Sequence, residues 1–388
     1  MFTIPSATSA FVFSLYLFRR TSFLARSRIS LAIVASVFMA WTQFRMQGVD
    51  GDLNSEFCWR WGTTDEEIFL KKHRPGTESN EILENIVVSQ GDCPEFREIF
   101  RDGVVRGQSI QLEWPELGLT ELWRQRVGPG WSSFAVVDDW VFTQEQRGDE
   151  EVISAYSAQS GNERWNIADK MRFSESISGV GPRATPTFSG GKLFTMGPSG
   201  IVRCTEATTG NPIWKRDICE DTGANIPMWG FSSSPLVIGQ DVIVFAGAGK
   251  DKALVSYDIE TGNIRWQSGN GYLSYSSPQL ATLHDIPQVL MMTENGLSSF
   301  NPSTGTFNWA HEWELGGGSA RIIQPKVVGN DVIVGTGYGV GTRRISTDLV
   351  ENQWTTNIRW TTKALKPYFN DFVVSGNFIY GFDKNIFT

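Results

Sequence analysis

Residues 254–266 read LVSYDIETGNIRW. The first five alternate as a half-buried strand does. A short polar turn then closes on Gly262, a residue suited to left-handed backbone where a Cβ would cost energy. Trp266 follows four residues later on the returning strand. The same phrase recurs as VISAYSAQSGNERW at 152–165, IVRCTEATTGNPIW at 201–214 and LSSFNPSTGTFNW at 297–309. Trp165, Trp214, Trp266 and Trp309 are therefore 49, 52 and 43 residues apart.

A second hairpin interleaves with the first. Its copies begin at Ser133-Phe134, Thr185-Pro186, Ser234-Pro235, Ser277-Pro278, Gln324-Pro325 and Asp371-Phe372. Proline is tolerated at a strand's first residue because no ladder bond is lost there. Turn signals follow at Asp138-Asp139, Gly190-Gly191, Gly239-Gln240, Gly329-Asn330 and Gly376-Asn377. Hairpin plus hairpin makes a four-stranded unit of blade length. Such a sheet cannot bury both faces alone, so a tryptophan at one place in every unit reads as packing between neighbours.

The fold expected is all-β: a propeller of four-stranded blades over 114–388, behind an N-terminal tail and anchor (1–49) and a linker or extension (50–113). The fifth unit is degenerate. Its turn runs through 349–353 without glycine, leaving Trp354 or Trp360 to take the packing place. Glu121 to Val127, around Trp123, looks like a fourth strand without its first three. It is expected to be poorly placed, or to pair with a half-blade at 372–382. About five and a half units give an open ring, a propeller truncated at its C-terminal side.

The repeats resemble those of the PQQ (pyrroloquinoline quinone) repeat propellers. Longer phrases carry the likeness further: LWRQRVGPGWSSFAV (122–136), TQEQRGDEE (143–151), GPRATPT (181–187), WGFSSSPLV (229–237), SYSSPQL (274–280), RIIQPKVV (321–328) and KPYFNDFVV (366–374). They are similar to an uncharacterised bacterial family related in architecture to the propeller lipoprotein that assists outer-membrane barrel assembly. The resemblance runs from about Glu56 onward and implies a closed ring of eight blades. The stretch Cys93-Pro-Glu-Phe-Arg-Glu-Ile-Phe-Arg-Asp-Gly103 departs from the family's wording at Cys93, Glu98 and Ile99.

Net charge is −8. Five arginines and no acid fall in residues 1–49, so the remainder stands at −13 and is a poor partner for nucleic acid. Ile29 to Phe44 is uncharged, bracketed by Arg28 and Arg45. It reads as an uncleaved, single-pass inner-membrane anchor, with a cleaved signal peptide as runner-up. The arginines before it place the N-terminus in the cytoplasm and the body on the periplasmic side.

The repeat's name raises quinoprotein dehydrogenase chemistry. That requires a quinone, a calcium ion on its carboxylates and a catalytic aspartate. The dehydrogenases the fold resembles stack the quinone on a disulfide of adjacent cysteines. Cys58, Cys93, Cys204 and Cys219 are scattered, and no Asp/Glu/Asn cluster beyond Asn370-Asp371 suggests calcium. No serine-nucleophile elbow appears, and His73, His284 and His311 lie in unrelated contexts. No catalytic residue, metal or cofactor is expected.

Aligning the inner strands gives a polar ring of Ser133, Thr185, Ser234, Ser277, Gln324 and Asp371. Outward of it lies a rim of Trp131, Arg183, Phe231, Tyr275, Arg321 and Tyr368, with Lys366 nearby. Such a set suits a peptide segment, a carboxylate or a sugar; water held in the channel is the plainer reading. The function expected is non-enzymatic binding of an envelope protein or small ligand. The alternatives are a PQQ-dependent dehydrogenase and a non-functional fragment of a closed propeller.

Overall fold

The structure is a computed structural model that describes residues 3–49, 55–72, 86–108, 120–315 and 321–388, together with Glu113 and Gly118. The chain divides into two compact units, Met1–Ile68 with Ser174–Gly179, and Phe69–Phe173 with Val180–Thr388.

In the first unit, helix Thr3–Leu17 turns back through Arg19 and Arg20 into helix Phe23–Thr42. Ser14 Oγ donates to Ser30 Oγ at 2.7 Å, and Trp41 Nε1 to Ser6 Oγ at 2.7 Å, which pins the pair antiparallel. The apolar helix starts earlier than the uncharged run, because Ser22 accepts from the Ala25 amide and caps it ahead of Arg26 and Arg28. It ends before Phe44, which opens a hairpin of Phe44–Val49 with Ser55–Trp59. That hairpin crosses the boundary expected at 49/50.

The second unit is the propeller. Its first sheet runs Ala135–Val137, Trp140–Arg147, Glu150–Ser157, Glu163–Lys170, each strand antiparallel to the one before. Four more sheets of the same order lie within 187–217, 236–268, 279–312 and 326–362. Two-stranded pieces follow, Val373–Ser375 with Phe378–Tyr380 and Phe382–Asp383 with Ile386–Phe387. The inner strand leads from the connection between sheets to the first hairpin turn. We call these two ends of the channel the loop end and the turn end. The fourth inner turn, which the sequence did not signal, is His284-Asp285, with φ of 50° and 61°. The fifth outer turn dispenses with glycine by placing Glu351 and Asn352 at φ of 51° and 64°.

Each hydrophobic cluster lies between successive sheets. One joins Phe194, Val202, Cys204 and Trp214 of the second sheet to Val242, Val244, Val255 and Tyr257 of the third. The tryptophans sit where the repeat requires. Trp165, Trp214, Trp266 and Trp309 pair with Ala155, Cys204, Ser256 and Ser299, always one residue before a bulge. In the fifth sheet that register belongs to Trp360, opposite Arg344, whereas Trp354 packs on Trp309 with ring centroids 6.4 Å apart. A Cβ on Gly210, Gly262 or Gly305 would fall 2.7, 2.8 or 2.5 Å from the indole of the preceding sheet. The indole N–H groups complete the joint by donating to Ala207, Ile259 and Pro302 carbonyls at 2.9, 3.0 and 3.2 Å. Glycine at the turn is thus needed twice, for its positive φ and for the ring laid over it.

Trp123 corrects one expectation. It neither wanders nor pairs with the strands at 373–380. Its indole covers Gly161 and donates to the Ala158 carbonyl at 2.8 Å, repeating the joint at the front of the first sheet.

Candidate functional site

The structure places each of the six aligned residues two positions ahead of its inner strand, on the lead-in segment, and joins four of them, Ser133, Thr185, Ser234 and Ser277, by hydrogen bonds. Thr185 Oγ1 accepts from the Ser133 amide at 3.3 Å, Ser234 Oγ from the Thr185 amide at 2.9 Å, and Ser277 Oγ from the Ser234 amide at 2.9 Å. The preceding hydroxyls return the bond. Ser132 Oγ donates to the Ala184 carbonyl at 2.7 Å and Ser276 Oγ to the Ile323 carbonyl at 3.0 Å. An inner strand is a sheet edge with unpaired backbone groups. These hydroxyls stitch each lead-in to its neighbour, so Thr185, Ser234 and Ser277 of the ring have work inside the fold.

The stitching changes at the last two positions. Gln324 is buried, and neither its amide nitrogen nor its oxygen finds a partner among the described residues. Asp371 lies 2.9 Å from Lys326 Nζ and 3.1 Å from Arg97 Nε. Burial brings the Lys326 ammonium down to about 8, with Asp371 pulling the other way.

At the loop end, the expected rim splits. Trp131, before the first sheet, is exposed, and Tyr272, between the third and fourth sheets, is 70% exposed. Arg183 is half-buried, stacked 4.5 Å over Phe173. Tyr275 lies tilted against Trp229 with ring centroids 5.3 Å apart, and Tyr368 edge-on to Tyr338 at 4.8 Å. Lys366 is ion-paired with Asp383. Two rim residues are corrected to core. Phe231 is buried in the cluster between the second and third sheets. Arg321 is fully buried, donates to the Trp313 and Thr293 carbonyls, and lies 4.8 Å over the Trp313 ring. Desolvation, then Arg343, lowers its guanidinium to about 10. Sequence reasoning passed over Met228, Tyr272 and Phe369, which are exposed at this same end. They were legible as apolar residues in inter-sheet connections.

The remaining reactive side chains are held quiet. Burial, then Glu98, pushes the Cys93 thiol up to about 11, and burial pushes Cys204 to about 12. His284 turns its Nε2 to the Thr347 carbonyl at 2.7 Å. His311 meets Thr356 and Arg343 at 3.1 and 3.3 Å and is shifted toward its neutral form by burial and then by Arg343. His73 lies outside the described residues. Among the described residues, no three His, Cys, Asp or Glu side chains are grouped to hold a metal ion.

A family model described as the outer membrane protein assembly factor BamB matches residues 149–387. The chain belongs to the BamB-type PQQ-repeat family. Solved structures similar to this family member include BamB from Moraxella catarrhalis, at 18% identity over 66% of this chain and 80% of that one, with a TM-score of 0.42. The quinohemoprotein alcohol dehydrogenase of Comamonas testosteroni is similar at 12% identity over 70% of this chain and 46% of that one, with a TM-score of 0.42. The computationally designed Ika8 protein is similar at 11% identity, 64% and 67% coverage and a TM-score of 0.43. A search of curated protein sequences gives no match.

Proposed function

We propose that this BamB-type propeller is a non-enzymatic binding protein of the cell envelope, tethered to a membrane by its N-terminal helix, which receives a protein segment at the loop end of its channel. The observation that carries this reading is the exposed apolar set on the loops of that one end. Trp131, Met228, Tyr272 and Phe369 all face solvent there. Exposed apolar side chains on four loops of one end favour a protein partner. The family name, an assembly factor for outer-membrane proteins, agrees with such a partner.

The inner strands support binding over oxidation. A quinone with its calcium would need free carboxylates in the channel. The ring's one carboxylate, Asp371, is engaged by two cations, and the hydroxyls bond neighbouring backbone. These residues do not fit that cofactor. Tethering rests on helix Phe23–Thr42, whose 20 residues reach about 30 Å at 1.5 Å per residue. Arg19 and Arg20 in the turn before it, with Arg26 and Arg28 in its first two turns, favour the cytoplasmic face for that end, with the propeller across the membrane.

The test is photo-cross-linking in cells expressing the full chain. A benzophenone amino acid replaces Met228 or Tyr272 at the loop end, or Gln240 at the turn end. A discrete adduct with one envelope protein is expected from 228 and 272 and not from 240. Equal adduct patterns from both ends, or none from the loop end, would contradict the reading.

A further inference from the structure

Residues 93–103 lie along the inner strands, bonding Val136 and Phe188 within them, Gln279 and Lys326 at their first residues, and Ser234, Pro235, Pro278, Asp371 and Phe372 just before them. Cys93 exchanges backbone hydrogen bonds with Val136, at 2.8 and 2.7 Å. The Phe188 amide donates to the Pro94 carbonyl at 2.7 Å. Arg101 donates from Nη1 to the Pro278 carbonyl at 2.9 Å and the Ser234 carbonyl at 3.4 Å, and from Nη2 to the Pro235 carbonyl. Gln279 Nε2 donates to the Phe100 carbonyl at 2.9 Å, and Lys326 Nζ to the Arg101 carbonyl at 3.3 Å. Arg97 pairs with Asp371 and donates to the Phe372 carbonyl at 3.4 Å.

The chemistry of the seat explains the occupant. Inner strands expose carbonyls and amides toward the channel, and a segment that offers backbone carbonyls and a planar five-donor cation satisfies both kinds. The Arg101 side chain is 2% exposed, and its Nε faces Glu95, so its charge is paired and each guanidinium nitrogen has an acceptor. Burial raises the Glu95 carboxyl while Arg101 draws it back. The segment bends sharply to do this. Arg97, Glu98 and Arg101 hold φ of 64°, 77° and 52°, and a Cβ on Gly103 would fall 2.2 Å from the Arg97 guanidinium. Three non-glycine residues in that region are sustained only where the surroundings hold them.

We propose that the channel bordered by the starts of the inner strands is a peptide-binding site for an arginine-centred segment, filled in cis by residues 93–103, which ties the six inner strands into one cooperative set. The site goes beyond the loop-end function, and its ligand class is a sharply turned peptide presenting a buried guanidinium to carbonyl oxygens.

The experiment is amide hydrogen exchange on the full chain. Val136 and Phe188 bond the strap but lie on sheets that Arg101 does not touch. Arg101→Ala is expected to raise exchange at both amides at least tenfold, and ethylguanidinium, but not ethylammonium, is expected to restore protection. Arg101→Lys keeps the charge without the fork, and serves if the alanine variant does not fold; it should exchange faster at the same two amides. Wild-type protection at Val136 and Phe188 in the variant that folds would overturn the proposal, as would equal rescue by both small cations.

Discussion

Trp214→Ala lowers the stability of the full chain by about 3–5 kcal/mol in denaturant unfolding, the range for deleting a large buried side chain. Trp214 is buried between the second and third sheets, with Phe194 and Tyr257 each 6.1 Å away. Its ring lies over Gly262, and its N–H donates to Ile259, so no neighbour can collapse into the space without leaving that carbonyl bare. Trp123 makes the same joint but is 37% exposed and has no preceding sheet behind it. Trp123→Ala should therefore cost clearly less, about 1–2 kcal/mol by buried apolar area. Equal losses at the two positions would mean that the joint, rather than burial between sheets, carries the energy.

Arg147→Ala is expected to cost about 3–5 kcal/mol as well, by a different route. Arg147 bridges Glu145 and Glu163, and all three side chains are buried. Burial pushes the Glu145 carboxyl up, but Arg147 and the Ser154 and Tyr156 hydroxyls outweigh it and hold it low. Without the guanidinium, the Glu145 carboxyl loses the strongest of the influences that oppose its desolvation, and its folded-state pKa rises. A group whose folded pKa is raised gives up stability as pH climbs through that value. The variant should thus lie nearer to wild type at pH 5 than at pH 8 in thermal unfolding. A pH-independent loss would show that the carboxylates find new partners.

The tryptophan and glycine positions were legible because one joint needs both residues at a fixed spacing, and the joint repeats. The inner-strand ring was legible as a set of polar residues on one edge. What its hydroxyls bond was not, since their partners are backbone amides of the next sheet, some fifty residues away. Arg321 read as a rim cation because a loop arginine is ordinarily exposed; the Trp313 and Thr293 carbonyls draw it inward. The strap at 93–103 was the least legible element. It has no strand or helix period, and its bonds reach as far as Phe372, 275 residues on. The Arg-Asp-Gly at 101–103 was the available signal, an arginine held beside a glycine that its neighbour Arg97 leaves no room to replace.

The claim that this propeller binds rather than oxidises is tested most directly by adding PQQ and calcium to the full chain and following dye-linked alcohol oxidation. With Asp371 engaged by Lys326 and Arg97, the account predicts dye reduction no faster than without protein. A turnover that depends on both PQQ and calcium, and falls when Asp371 is replaced by asparagine, would contradict it.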